Sequence, residues 1–230
     1  MTEFQDSTSL RDALGLARRL APRILFDLRE PFFPRWVGVS LLEAAGPSPS
    51  FRRVLTPPSG GCVIEYAIYW DWDIQHLYDL EHIWLYLDSS GGVVDAEASF
   101  HGKYLKSLVP GTAIPLSGRL ELYSQPGKHA FAPYPGLFRF LPDCASSTGD
   151  EAGKAGAEVS WVLQYRITHD PAWDLPVRRY LEGFRFEPAW EFAAWDMPSS
   201  IVIAWEELNG LLPSLFEEGL SLAGARPRSL

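Results

Sequence analysis

Between Cys62 and His101 the chain carries three closely spaced runs dominated by apolar and aromatic residues, separated by short polar breaks. Cys62 to Trp72 is the first and Asp79 to Asp88 the second, which ends in the turn sequence Asp88-Ser89-Ser90-Gly91-Gly92. Val93 to His101 then alternates, placing Val94, Ala96, Ala98 and Phe100 on one face. Runs of this length and period predict strands, and the Gly-Gly turn predicts a hairpin between the second and third. Whatever the rest of the chain does, it has to cover the sheet these runs build.

The remaining sequence fits that demand. Nine Trp, nine Tyr and thirteen Phe suit half-buried strand surfaces, and nineteen Gly with nineteen Pro supply many breaks. Leu10, Ala13, Leu14, Ala17 and Leu20 follow helical spacing and predict a helix from Thr8 to Leu20, capped by Ser7 or Thr8. Trp36 to Leu42, Leu116 to Ser124 and Val159 to Ile167 read as further strands, and prolines and glycines from Pro47 to Gly61 mark a long loop. Cys144 to Ala157 is small, polar and Gly-rich, which predicts a mobile loop. Pro171 to Pro198 reads as coil packed on the body, and Ile201 to Leu222 carries helical signals interrupted by Gly210 and Pro213. The expected fold class is mainly β, a β-sandwich with short N- and C-terminal helices. It forms a single domain over 1–230: a helical or extended region at 1–45, a sandwich core at 62–170 and a C-terminal coil and helix at 171–230.

A chain of 230 residues is long enough to bury a sizeable core without disulfide or metal staples. Its net charge of −9 argues against general nucleic-acid binding, because phosphates need a basic footprint. No apolar run reaches the roughly 18 to 20 residues of a membrane span. The polar, acidic N-terminus lacks the pattern of a secretory signal, so the expected location is cytoplasmic. Cys62 and Cys144 are too few for a disulfide scaffold or a four-thiolate zinc site, and whether they pair is left open.

Chemistry concentrates between Trp70 and His82, where four carboxylates and two imidazoles lie within 13 residues. On a strand, residues two apart share a face, so Asp79 and Glu81 point together, as do Asp71 and Asp73 one strand earlier. Ile83, Leu85 and Leu87 continue the Asp79/Glu81 face and look like core. Two carboxylates at the end of an apolar face repel each other and lose hydration, and a divalent cation relieves both costs. His76, in the connecting loop, can fold back as a neutral ligand. This donor set suits Mg²⁺, Ca²⁺ or Mn²⁺, with Fe²⁺ and Zn²⁺ compatible. The competing reading makes Asp71 and Asp73 turn caps and Asp79/Glu81 a solvated strand end. Trp70 and Trp72 are candidates to line a pocket or to pack in the core, and His101 to enter the cavity or lie exposed. His82, on the opposite face, reads as a surface or supporting group.

The run Tyr66-Ala67-Ile68-Tyr69-Trp70-Asp71-Trp72-Asp73, followed by His76-Leu77-Tyr78-Asp79-Leu80-Glu81-His82, resembles the core of the necrosis-inducing NPP1-like proteins and the related VPS62-like proteins. The resemblance places Asp73, His76, Asp79 and Glu81 on the four positions of that family's divalent-metal site. Leu122 to Ala130, with Gly127-Lys128-His129-Ala130, resembles the family's apolar strand followed by Gly-x-His-Ala, which brings His129 toward the cavity. It covers about residues 62 to 135. Gln75 and Tyr78 replace the Gly and second His of the family's heptapeptide, and the loop between Asp73 and His76 is shorter.

Three functional expectations follow. In the first, one divalent cation binds an oxygen-rich small ligand such as a glycan, a phosphate or a lipid head group, with Trp70, Asp71, Trp72 and His101 near it. In the second, the same site is a metal-dependent hydrolase with one of the carboxylates or His129 as general base. In the third, the chain is a metal-free protein-interaction module. No nucleophile elbow, His-Glu-x-x-His, P-loop or dinucleotide fingerprint is present.

Overall fold

The computed structural model describes residues 2–109 and 118–225. Helix α1 (Thr2–Leu20) precedes strand β1 (Arg23–Asp27) and strand β2 (Trp36–Leu42), and a two-residue pair, β3 (Gly46–Pro47) with β4 (Val54–Leu55), sits within the expected loop. The three aromatic runs become β5 (Cys62–Trp72), β6 (Leu77–Leu87) and β7 (Val93–Phe100), all antiparallel neighbours, and β8 (Lys103–Lys106) follows. Then come β9 (Glu121–Ser124), β10 (Phe131–Ala132), α2 (Cys144–Thr148), α3 (Asp174–Glu182), β11 (Phe192–Asp196), β12 (Val202–Ala204) and α4 (Trp205–Leu222). Residues 116 and 117 of the expected Leu116–Ser124 strand lie outside the described residues.

The strands form a six-stranded sheet ordered β12-β2-β5-β6-β7-β8 and a four-stranded sheet ordered β10-β9-β1-β11. One core joins them: Tyr66, Ile68, Trp70, Ile83 and Leu85 of the large sheet cluster with Ile24, Phe26, Leu122 and Phe131 of the small one. The fold is therefore mainly β, with two packed sheets and helices at both ends. Strand pairing sets Ile68 opposite Glu81 and Trp70 opposite Asp79, so both carboxylates emerge from the core face, as the alternation requires. Among the described residues no helix is long and apolar enough to cross a membrane, and both cysteines are free thiols.

Several local expectations change. α1 begins at Thr2, so Ser7 and Thr8 lie inside it rather than capping it. Val159 to Ile167 is a series of turns in which Leu163 is buried and Tyr165 is 92% exposed. Its backbone bonds close locally, Leu163 N–H to Ser160 O at 3.0 Å and Ile167 N–H to Leu163 O at 2.9 Å, so it joins no sheet. Pro171 to Pro198 holds α3 and β11, the latter pairing with β1, instead of coil. The C-terminal helix runs unbroken through Gly210 and Pro213. Proline removes one helix bond, and the Asn209 carbonyl four residues earlier instead accepts Arg166 Nη1 at 2.5 Å.

Cys144 to Ala157, expected as a mobile loop, is packed. It contains α2, buries Ser147, Thr148 and Ala157, and bonds to the β5–β6 connection through Gly153 N–H to Ile74 O (2.8 Å), Ala155 N–H to Gln75 O (2.9 Å) and Leu77 N–H to Gly156 O (2.9 Å). Gly156 makes this contact at φ +62°, where a Cβ would stand 2.9 Å from the Asp174 Cα. Gly156→Ala should therefore cost more than about 1 kcal/mol in urea denaturation, since it adds strain in the left-handed region to a backbone clash.

Candidate functional site

The β5–β6 connection makes a tight return from Asp73 to His76, closed by Asp73 N–H to His76 O at 3.0 Å. Beside it lies the turn Gln125 to His129, which follows β9. Both are tied together: Ile74 N–H donates to Gly127 O at 2.8 Å, and Gly127 N–H donates to Glu30 Oε2 at 2.7 Å. Gly127 has φ +69°, and a Cβ there would sit 2.8 Å from Ile74 Cγ2, so only glycine fits the junction. This docking brings Lys128 and His129 to the acid cluster.

Lys128 enters the cluster from above. Its Nζ lies 2.6 Å from Asp73 Oδ2, with the Lys128 side chain 13% exposed and that of Asp73 1% exposed. Burial alone would lower the lysine pKa, but the charges of Asp73, Asp79 and Glu81 outweigh it and hold the ammonium charged. Asp73 Oδ1 accepts the Gln75 N–H at 2.6 Å, and His76 Nε2 stands 3.7 Å from Asp73 Oδ2. His76 Nδ1 donates to the Tyr78 carbonyl at 2.7 Å, which leaves Nε2 facing Asp73. Although buried, Asp73 has a pKa below the ordinary aspartate value because Lys128, His76 and His129 surround it.

Below this layer Asp79 accepts the Leu80 N–H at 2.8 Å through Oδ1 and His129 Nδ1–H at 3.1 Å through Oδ2. Glu81 accepts the Ser99 hydroxyl, and burial together with the Asp79 charge pushes its pKa up to about 8. His129 is fully buried, lies flat on Trp70 with ring centroids 4.5 Å apart, and presents Nε2 to Glu30 Oε1 at 3.5 Å. Burial works against its charge, but hydrogen bonding and attraction from Asp79 and Glu30 prevail and raise its pKa to about 10.

Asp73, His76, Asp79, Glu81, His101 and Lys128 open on one cleft of about 270 Å³, walled by Phe51, Tyr78 and Trp161. Tyr78 donates its hydroxyl to Ser160, which fixes that wall. The structure thus brings together the four residues expected to ligate a metal. Of the others it brings only His101 to the cleft. His129, the expected catalytic imidazole, lies beneath the cleft floor. Asp71 points to the opposite sheet face, paired with Arg35 at 3.0 Å. Trp70 is sealed under His129, and Trp72 packs on Tyr180 at 4.5 Å. His101 reaches the cleft edge from a left-handed turn (φ 50°), its Nε2 bonded to Gln125 Oε1 at 2.7 Å. Of the two places expected for His82, surface or supporting group, the surface is excluded: it is buried against Trp84, with Nε2 at 3.0 Å from Ser50 Oγ.

No family model matches the chain, and no curated protein does either. Among solved structures the chain is similar to NLPPya in complex with glucosamine, at 18% identity and TM-score 0.37, over 51% of this chain and 64% of that one. It is similar likewise to Necrosis and Ethylene inducing Protein 2 from the causal agent of cocoa's Witches Broom disease, at 21% identity and TM-score 0.35, over 50% of this chain and 66% of that one. The likeness is to NLP-type proteins. The chain spans less than two thirds of the length of these structures.

The fit of a divalent ion turns on Lys128. Its ammonium pairs with Asp73 beside the other carboxylates, and each carboxylate already accepts from a protein donor: Gln75 and Lys128 on Asp73, Leu80 and His129 on Asp79, Ser99 on Glu81. Among the described residues no group of three or more His, Cys, Asp or Glu side chains is arranged to hold a metal ion. As arranged, the donor set does not fit one.

Lys128 and Glu30 are among the site residues that sequence reasoning missed, with Phe51, Ser99 and Trp161. Lys128 stood inside the Gly127-Lys128-His129-Ala130 segment and had a signal available, a cation beside the one imidazole singled out there. Glu30 had none, because it lies 97 positions from the glycine it binds.

Proposed function

We propose that the cleft binds one small polyhydroxylated molecule, a glycan unit or a polyol head group, and that the protein is a binding module for it. The observation that carries this reading is the mixture at the cleft floor. Asp73 and Asp79 accept hydrogen bonds, the Lys128 ammonium donates them, and Glu81 with its raised pKa retains a proton to donate at neutral pH. Hydroxyl groups, each both donor and acceptor, complement such a floor better than a purely anionic or cationic ligand does. Phe51 and Trp161 supply apolar wall for the C–H faces of a ring. A volume of about 270 Å³ is just below the usual ~300–1,000 Å³ of ligand pockets and suits a single small molecule.

Calorimetric titration with a panel of monosaccharides, amino sugars and linear polyols tests the reading. Saturable binding of at least one class is expected, weakened about tenfold or more in Asp79→Asn and in Trp161→Ala, roughly the loss of one well-made contact. Equal affinity in both variants, or no saturable binding across the panel, would remove it.

A further inference from the structure

We infer that the Lys128 ammonium is a built-in cation standing where the acid cluster would otherwise need a divalent ion, so that this cleft is made to work without metal. The inference concerns the same cleft as the ligand reading but does not require any ligand.

Two independent sets of contacts carry it. The first is the seat of the charge. Lys128 Nζ is 2.6 Å from Asp73 Oδ2, and Lys128 lines the same cleft as Asp79, Glu81 and His76. Buried acids at the end of an apolar strand face need a positive partner, and an ammonium with three donors meets that need where an ion would have to shed its water. The second is the way the lysine is delivered. Lys128 N–H and His129 N–H both bond to Gln125 O, at 3.1 and 3.0 Å, and Ala130 N–H bonds to Lys128 O at 2.8 Å. The turn is clamped from outside by Glu30 and Ile74 through Gly127. The stem therefore starts from a fixed backbone and is mostly covered, unlike a surface lysine that samples many rotamers. A second fixed cation, His129, lies beneath on Asp79. Positive charge thus reaches the cluster from two consecutive residues of one turn. A divalent ion would have to displace the Lys128 ammonium into solvent and break the Asp73 pair to enter.

The test uses the purified full chain and bare metal ions. Wild-type protein is expected to carry well under one divalent ion per chain by elemental analysis. Its melting temperature should move by no more than about 1 °C with excess Mg²⁺, Ca²⁺, Mn²⁺ or chelator. Lys128→Ala empties the seat and leaves the acids. It should melt lower than wild type and be stabilised by about 5 °C or more in Mn²⁺ at roughly a hundredfold its dissociation constant. If Lys128→Ala does not fold, Lys128→Met, which keeps the stem packing, carries the same comparison. One bound ion per wild-type chain, a wild-type melting temperature that falls with chelator, or a folded neutral variant indifferent to Mn²⁺ would each overturn the inference. Because no sugar or polyol enters these measurements, they can fail while the ligand reading stands, and the reverse.

Discussion

Glu30→Gln is expected to destabilise the protein by about 3 kcal/mol in urea denaturation, near the lower end of what breaking a buried ion pair costs. The reason lies in what the carboxylate holds. Its Oε2 accepts Gly127 N–H at 2.7 Å, its Oε1 accepts Phe32 N–H at 3.2 Å, and Oε1 faces His129 Nε2 at 3.5 Å. All three donors converge on one side chain with almost no exposure. A glutamine keeps one acceptor oxygen and turns an NH₂ group toward the rest, so at least two donors meet with no acceptor between them. His129 meanwhile keeps its charge with Asp79 alone, so some compensation survives. The same substitution loosens the clamp on Gly127, and the contact between Lys128 and Asp73 should become less populated. Imidazole proton shifts give a separate readout: the titration midpoint of His129 should fall from about 10 toward the ordinary histidine range. A loss below about 0.5 kcal/mol with an unmoved midpoint would mean that Glu30 does not support the imidazole at all.

The sheet and the site were legible in the sequence to different depths. β2 and β5 fall on the very residues that apolar content and turn chemistry mark, and β6 and β7 within two residues of them. Their signals are local: period-two alternation, a Gly-Gly turn, and a strand long enough to have one core face. Asp79 and Glu81 share that face for the same reason. Val159 to Ile167 shows the limit of the method. Its alternation of Val159, Trp161, Leu163, Tyr165 and Ile167 looks like a strand, yet no free sheet edge accepts it, and the chain satisfies its backbone in turns. The segment from Cys144 to Ala157 fails in the opposite sense. Small and glycine residues there allow backbone to approach backbone at Ile74, Gln75 and Leu77, and that use cannot be told from flexibility without knowing the partner. The acid cluster reads from sequence as the seat of a divalent ion, and the structure sets the Lys128 ammonium against Asp73 there. Lys128 and His129 reach the cluster on a turn about fifty residues further on, and contacts of that range leave no periodic trace.

Stability is expected to peak in mildly acidic solution and to fall steeply above it, because the folded chain holds protons that the unfolded chain releases. Burial and the Asp79 charge raise Glu81 from 4.5 to about 8, and Asp79 with Glu30 raises His129 from 6.5 to about 10 against the effect of burial. A group with a raised folded pKa contributes stability that is complete below its unfolded pKa and lost as pH rises through the folded one. Glu81 therefore gives up its contribution between about pH 4.5 and 8, and His129 between about 6.5 and 10. Between pH 6.5 and 8 both act, unfolding releases close to two protons, and stability should drop by roughly 2 to 3 kcal/mol per pH unit. His82 pulls the other way. Burial lowers it from 6.5 to about 4, so it favours the folded state less as pH falls through that interval and cancels the gain from Glu81 there. The outcome is a plateau between about pH 4.5 and 6.5 and a descent above it. Urea midpoints at a series of pH values measure this curve, and Glu81→Gln, which keeps a donor at the cleft floor but cannot ionise, should halve the slope between pH 6.5 and 8. A flat profile across neutrality in the wild type, or an unchanged slope in that variant, would show that Asp79 and Glu81 share their corner of the core through some other balance of charge.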